Sequence, residues 1–278
     1  MNKTVTAVAV CSALLACTLA VPSHANDCKH NTHRTANSAG PDIKRVVVEA
    51  GAGDLTVRGG DSRDVKVEGK ACASSDELLA DIKLEIRREG DTVYVRTVLP
   101  DFSGIAFGVR YAYLDVTVDV PKTASLKLDD SSGDMRVSDV QGASITDSSG
   151  DQTLEHIAGD LDVADSSGEI RITDVSGGLR LRDSSGDVDV NGVQGDVVVT
   201  VDSSGDLDIS HVTGGVHILS DSSGDIEVTD VKRDVIIDDD SSGGIAVRDV
   251  GGNFTVGSDG SGGIHYDRVT GTVHVPSD

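Results

Sequence analysis

The tetrapeptide Asp-Ser-Ser-Gly begins at Asp130, Asp147, Asp165, Asp183, Asp202, Asp221 and Asp240, and this recurrence constrains the fold more than any other feature of the chain. Successive copies lie 17, 18, 18, 19, 19 and 19 residues apart. The segments "SSGEIRITDVSGGLRLRD" (166–183), "SSGDLDISHVTGGVHILSD" (203–221) and "SSGDIEVTDVKRDVIIDDD" (222–240) share one grammar. A Ser-Ser-Gly turn opens a short alternating strand, as in Ile226-Glu227-Val228. A second turn of the Asp-Val-x-Gly type follows, and then another short strand, as in Val235-Ile236-Ile237. A unit of this size buries too little apolar surface to stand alone, so the units must stack.

Stacking could produce an antiparallel meander or a β-solenoid with one repeat per coil. The columns favour the solenoid. Val175, Val193, Val212, Val231, Val250 and Val269 recur at the second turn, and Ile170, Val188, Leu207, Ile226, Ile245 and Ile264 open the first strand. Parallel, in-register coils about 4.8 Å apart bring such like residues into contact. A meander pairs unlike positions and has no reason for the sameness. The glycine of each first turn permits a positive φ in a tight bend, and the flanking Ser and Asp can cap it through nearby amides. Gln152 breaks the pattern, standing where other repeats place an aliphatic residue.

Two earlier segments, "GAGDLTVRGGDSRDVKVEG" (51–69) and "AYLDVTVDVPKTASLKLDD" (112–130), read as further coils. Between them a short helix is expected at about 75–82, with a capping box from Ser74 to Glu77 and an apolar side of Leu78, Leu79 and Ile82. A hairpin, "KLEIRREGDTVYVRTV", turns at Gly90-Asp91, and 100–111 reads as an exposed loop. The expected class is all-β. Residues 112–278 form a β-solenoid of 18–19-residue coils with two short strands per coil. A small β-rich part with one short helix (43–111), a flexible tail (26–42) and a leader (1–25) precede it. The order of a Gly-Asp-Leu-x-Val coil, a hairpin, "LDVTVDVPKTASLKL" and serial "SSGDI.V" repeats resembles the putative-adhesin family of β-strand-repeat proteins, over roughly residues 43–275. The resemblance implies a β-solenoid and surface attachment. It brings no catalytic motif, since the family is largely a domain of unknown function.

Residues 1–25 read as an export leader, with Lys3, the apolar run "VTAVAVCSALLACTLAV" and "PSHA" ending at Ala25. A rival reading takes "LLAC" ending at Cys17 as a lipoprotein signal, although Leu15 is unusual at its place. No other stretch approaches the ~18 apolar residues of a spanning helix, so no transmembrane segment is expected in the mature chain. Losing Lys3 moves the formal charge from -23 to -24. Such a polyanion repels nucleic-acid phosphates, and cations, cationic peptides or basic surfaces are the favoured partners. The mature chain keeps Cys28 and Cys72, which read as one disulfide in an oxidising compartment, the periplasm or the cell exterior. Cys28, His30 and His33 also make a metal trio conceivable, outweighed by a polar tail tethered through Cys28.

Two acidic columns carry the sharpest chemistry. The first is Asp130, Asp147, Asp165, Asp183, Asp202, Asp221 and Asp240; the second, past the glycine, is Asp134, Asp151, Glu169, Asp187, Asp206 and Asp225. Stacked carboxylates repel one another, and solvated turns bonded to backbone amides are the expected remedy. Calcium bridging successive coils through these oxygens is the sharper alternative, although the glycine-rich nonapeptide pattern of calcium rolls is absent. Catalysis is not expected. His156, His211, His217, His265 and His274 fall in scattered columns, with His217 and His274 on one outer face, and the repeated serines sit in no nucleophile elbow. The expected function is a non-catalytic binding or adhesive scaffold at the cell envelope, with a regulatory component sensing cations or cationic peptides as the alternative. End-on self-association is expected where the last strand, Val273 to Val275, leaves an open edge.

Overall fold

A computed structural model describes residues 28–40, 42–101 and 110–276. Among these residues two twelve-stranded sheets face each other across one aliphatic core that runs from Ile43 to Val256. Each coil contributes one strand to each sheet. Ile170–Val175, Val188–Val193, Leu207–Val212, Ile226–Val231 and Ile245–Val250 are neighbours in the first sheet, parallel and in register. Leu179–Arg182, Val197–Val201, Val216–Ile218, Val235–Asp240 and Phe254–Asp259 stack likewise in the second. The expected columns are the contacts: Ile170, Val188, Leu207, Ile226, Ile245 and Ile264 stack in register, and so do Val175, Val193, Val212, Val231, Val250 and Val269, a column that Ile157 and Val140 continue on the other side of Val175. The β-solenoid is therefore the fold.

Glycine is required where coils approach most closely. Gly186 and Gly224 adopt φ values of 135° and 131°, and a Cβ on either would stand 1.9 or 1.8 Å from the carbonyl oxygen of the glycine one coil below. No side chain fits there, which explains why glycine closes every copy of the Asp-Ser-Ser-Gly tetrapeptide.

The N-terminal half departs from simple coiling. The coil expected over 51–69 is instead formed by Arg45–Glu49 and Leu55–Gly60, because Val65–Ala73 does not follow Leu55–Gly60 into the second sheet. Its nine residues reverse at Gly60–Asp64 and run antiparallel to Ala112–Pro121 in the first sheet. Ala112–Pro121 pairs on its other side with Leu55–Gly60, whereas Ser125–Asp129 pairs with Arg45–Glu49 and Gly142–Thr146. Between Pro121 and Ser125 the chain thus steps over the 45–60 coil. Lys122 N donates to Gly60 O and Ser125 N to Lys44 O, each at 2.9 Å, fixing that step. The coil 45–60 is hydrogen-bonded into the stack, so the sheets show no break at residue 112.

The tail expected to be flexible is also ordered. His30–Ser38 is a nine-residue edge strand, antiparallel to Val65–Ala73, and Cys28 is joined to Cys72 by a disulfide with a Cα–Cα distance of 5.7 Å. Arg34 donates from Nε to Ile82 O and from Nη2 to Leu79 O, both 3.3 Å, so the strand also holds the helix Asp76–Asp81. The helix is capped by Ser75, whose Oγ accepts from Leu78 N, rather than by Ser74. Ser74 instead exchanges hydrogen bonds with the backbone of Tyr111. The hairpin Lys83–Glu89 and Thr92–Val98 closes the second sheet at this end. The leader reading of 1–25, with Cys17, and most of the 100–111 loop lie outside the described residues. No described helix is long and apolar enough to cross a membrane.

Candidate functional site

The two acidic columns occupy opposite sides of the Ser-Ser-Gly corner, and the first is not solvated. Asp130, Asp147, Asp165, Asp183, Asp202, Asp221 and Asp240 are all 5% exposed or less. The corner turns them inward because each follows the inward-facing residues of a second-sheet strand, such as Leu126 and Leu128 before Asp130. Half of the expectation holds: the following serine amide donates to Oδ1 of Asp130, Asp147 and Asp183 at 2.7–2.8 Å. Solvation, the other half, is absent. Burial pushes Asp130 and Asp202 up to about 7 and Asp165, Asp221 and Asp240 up to about 6, against the opposing pull of the serine amides. Asp147 and Asp183 shift the same way for the same reason.

Asp259 extends this column, paired in register with Asp240. It escapes a motif search because Gly260 replaces the first serine, although its spacing of 19 residues from Asp240 marks it. Gln152 belongs to the same interior. It is buried in the first-strand column between Met135 and Ile170, and its Nε2 donates to Asp147 Oδ2 at 3.4 Å. The misfit in the aliphatic pattern is a donor for the acids.

The second column is at the surface and has a backbone task. Asp151 Oδ1 accepts from Glu169 N, Asp187 from Asp206 N, Asp206 from Asp225 N and Asp225 from Gly244 N, at 2.8–3.0 Å. Asp134 makes the same contact to Asp151 N at 3.4 Å. A third ladder, not anticipated from sequence, does this at the second corner: Asp160, Asp196, Asp234 and Asn253 each accept the amide one coil above, at 2.7–2.9 Å. The second serines form a fourth, as Ser185, Ser223 and Ser242 donate to the carbonyls of Ser166, Ser203 and Ser222. Much of the acidic charge is therefore engaged in holding coil to coil. Among the described residues no three His, Cys, Asp or Glu side chains converge to hold a metal ion, and Cys28 is committed to its disulfide.

What remains for partners lies on the outer faces. Asp189, Asp208 and Glu227 stack in register on the first sheet. Arg171 lies 3.6 Å from Asp189, and Arg248 pairs with Glu227. Asp208, between them, makes no ion pair among the described residues, and partial burial together with its two acidic neighbours raises its pKa. On the second sheet His217 and His274 do share a column, with Ile236 and Thr255 between them, and His217 Nε2 lies 2.8 Å from Asp238. His156 and His211 occupy another column, at the second corner, with left-handed φ values of 55° and 57° like those of Asp139, Asp174, Asp230 and Asp249. Near the hairpin a hollow of about 300 Å³ is lined by Glu49, Glu85, Arg87, Tyr94 and Arg96, with the Arg87 guanidinium 4.3 Å above the Tyr94 ring.

Solved structures with some likeness to the chain are of low identity. One described as a "putative adhesin" from Bacteroides fragilis is 13% identical, covering 88% of this chain and 97% of that one with a TM-score of 0.44. A "putative lipid binding protein" from Parabacteroides distasonis is 17% identical over 88% and 97%, with a TM-score of 0.47. A "putative adhesin" from Parabacteroides merdae is 12% identical over 90% and 97%, at 0.43. No curated protein matches the chain. The Toastrack DUF4097 family, a domain of unknown function, matches residues 43–244, from the stepped-over first coil through most of the Asp-Ser-Ser-Gly stack, and the chain belongs to that family.

Proposed function

We propose that the protein is an exported, non-catalytic binding scaffold whose outer acidic column takes a cationic partner at the cell envelope. The observation that carries this reading is Asp208, a carboxylate on a flat sheet face, flanked by two acids and without a basic partner among the described residues. A basic side chain laid there would relieve repulsion already present in the free protein, which makes binding selective for positive charge. The Cys28–Cys72 disulfide supports an oxidising compartment. The same column would serve a regulatory component that responds to cationic peptides rather than to a surface, and end-on contact between copies would multiply either engagement.

The test offers immobilised mature protein a lysine-rich peptide and, separately, intact cells. Saturable, salt-sensitive peptide binding that Asp208→Lys removes supports the cationic-partner reading. Cell binding with the same loss identifies the adhesive form. Binding that is indifferent to Asp208→Lys in both arms overturns it.

A further inference from the structure

The interior column poses a problem that the surface ladders do not. Its carboxyl groups repeat once per coil, about 4.8 Å apart, on the dry side of the corner. No donor meets good hydrogen-bond geometry at either oxygen of Asp165, Asp202 and Asp240, or at one oxygen each of Asp130, Asp183 and Asp221, and the nearby serine amides pull on them only from less favourable positions. No basic group among the described residues bears on them. The charged groups that bear on the column are acids at its ends, Asp54 beside Asp130, with Asp239 and Asp259 beside Asp240. The other donors are the serine amides and Gln152. A fully ionised column would hold several unpaired buried charges in mutual repulsion, which protein interiors do not tolerate.

Protons resolve both faults. A carboxylic acid has one O–H to donate, and a carboxylate has free lone pairs to receive it. We propose that the interior column from Asp130 to Asp240 is a proton-binding ladder, in which acids alternate with carboxylates and each acid donates its proton to the carboxylate of an adjacent coil. Such O–H···O⁻ bonds are short and strong, and they convert the repulsion into a tie between coils. The groups then titrate together, so the midpoints belong to the column rather than to single residues.

The direction of the pH effect follows from burial. An unfolded chain releases these protons near the ordinary aspartate value, about 4. In the folded column Asp130, Asp165, Asp202, Asp221 and Asp240 hold theirs to about 6–7, and burial raises Asp147 and Asp183 in the same direction. Stability from the ladder is thus complete below about pH 4 and is lost as pH rises through 6 to 7. The solenoid is tied most firmly in an acidified compartment and loosened in an alkaline one.

The direct test is infrared spectroscopy of the folded protein at pH 5, where the column holds its protons and ordinary aspartates have largely released theirs, read for the C=O stretch of protonated carboxylic acids. A signal in the wild type, diminished in Asp202→Asn/Asp221→Asn and unchanged in the surface variant Asp206→Asn, is expected. Thermal unfolding should show the wild type losing stability between pH 5 and 8 and the double variant losing less, because asparagine donates without titrating. Absence of the acid signal in the wild type overturns the proposal, as does an equal pH dependence in both proteins. A rise in unfolding temperature with calcium, beyond that from equal ionic strength of sodium and abolished by the double variant, would also overturn it in favour of a cation-filled column.

Discussion

Asp208 and Val212 belong to one strand, Leu207–Val212, yet one side chain faces outward and the other lies in the core at 1% exposure. Val212 sits between Val193 and Val231, so an aspartate there would meet only aliphatic neighbours on the coils above and below. Val212→Asp should cost about 4 kcal/mol or more. Asp208→Asn removes one charge from a stack of three acids and should be neutral or stabilising by up to about 0.5 kcal/mol. Thermal unfolding of the two variants checks the assignment of faces, and similar losses would refute it. The left-handed residue preceding each valine explains a further preference at this scale. A short polar side chain tolerates that conformation better than most, so Asp recurs at the position and Gly192 replaces it once.

At the scale of elements, the edge strand His30–Ser38 depends on its anchor. Its sequence, HNTHRTANS, has no aliphatic residue larger than alanine, so backbone pairing, Arg34 and the Cys28–Cys72 bridge carry it. The bridge closes a loop of about 45 residues, for which the chain-entropy relation gives about 4 kcal/mol. Replacing both cysteines with serine should lower global stability by about 3–4 kcal/mol and speed amide exchange in His30–Ser38 before any change in the coils from Met135 onward. Uniform exchange across both regions would contradict that order. The coils were legible because in-register stacking rewards like upon like, and columns of valine and isoleucine record it. The edge strand was not, because its partner is a backbone rather than an apolar face. The inward turn of the first acidic column was half legible. In the shorter coils Leu126, Leu128 and Asp130, or Leu179, Leu181 and Asp183, share one parity and so one face. In the 19-residue coils the register shifts after Leu181, with Thr200 as the additional residue, and the parity is lost before Asp202. The charge of the side chain then argued for solvent, and the geometry overruled it.

For the molecule as a whole, the two ends of the stack are unlike. One is closed by antiparallel strands, a helix and a hairpin; at the other, Ile264–Val269 and Val273–His274 pair on one side only among the described residues. Burial fades there: Val250 is in the core, while Ile264, Val269, Val273 and Val275 are half-buried and Tyr266 is 51% exposed. Repeat stacks ordinarily need a polar cap at such a face. A second copy meeting it end-on would cover the apolar cross-section and pair the free edge. The formal charge of -23 opposes association, so dimerisation should strengthen as salt screens it. The choice of probe follows from the bonding. Thr272 is unsuitable, because its amide donates to Asn253 Oδ1 and its carbonyl accepts from Phe254 N, so proline there would damage the last coil itself. In a parallel pair the residues alternate in direction, which leaves the amides of Val273 and Val275 pointing away from the stack. Val275→Pro should therefore reduce self-association in sedimentation at moderate salt while leaving the unfolding temperature of the upstream coils unchanged. A wild type that stays monomeric at every concentration and salt level would show that the edge takes no second copy.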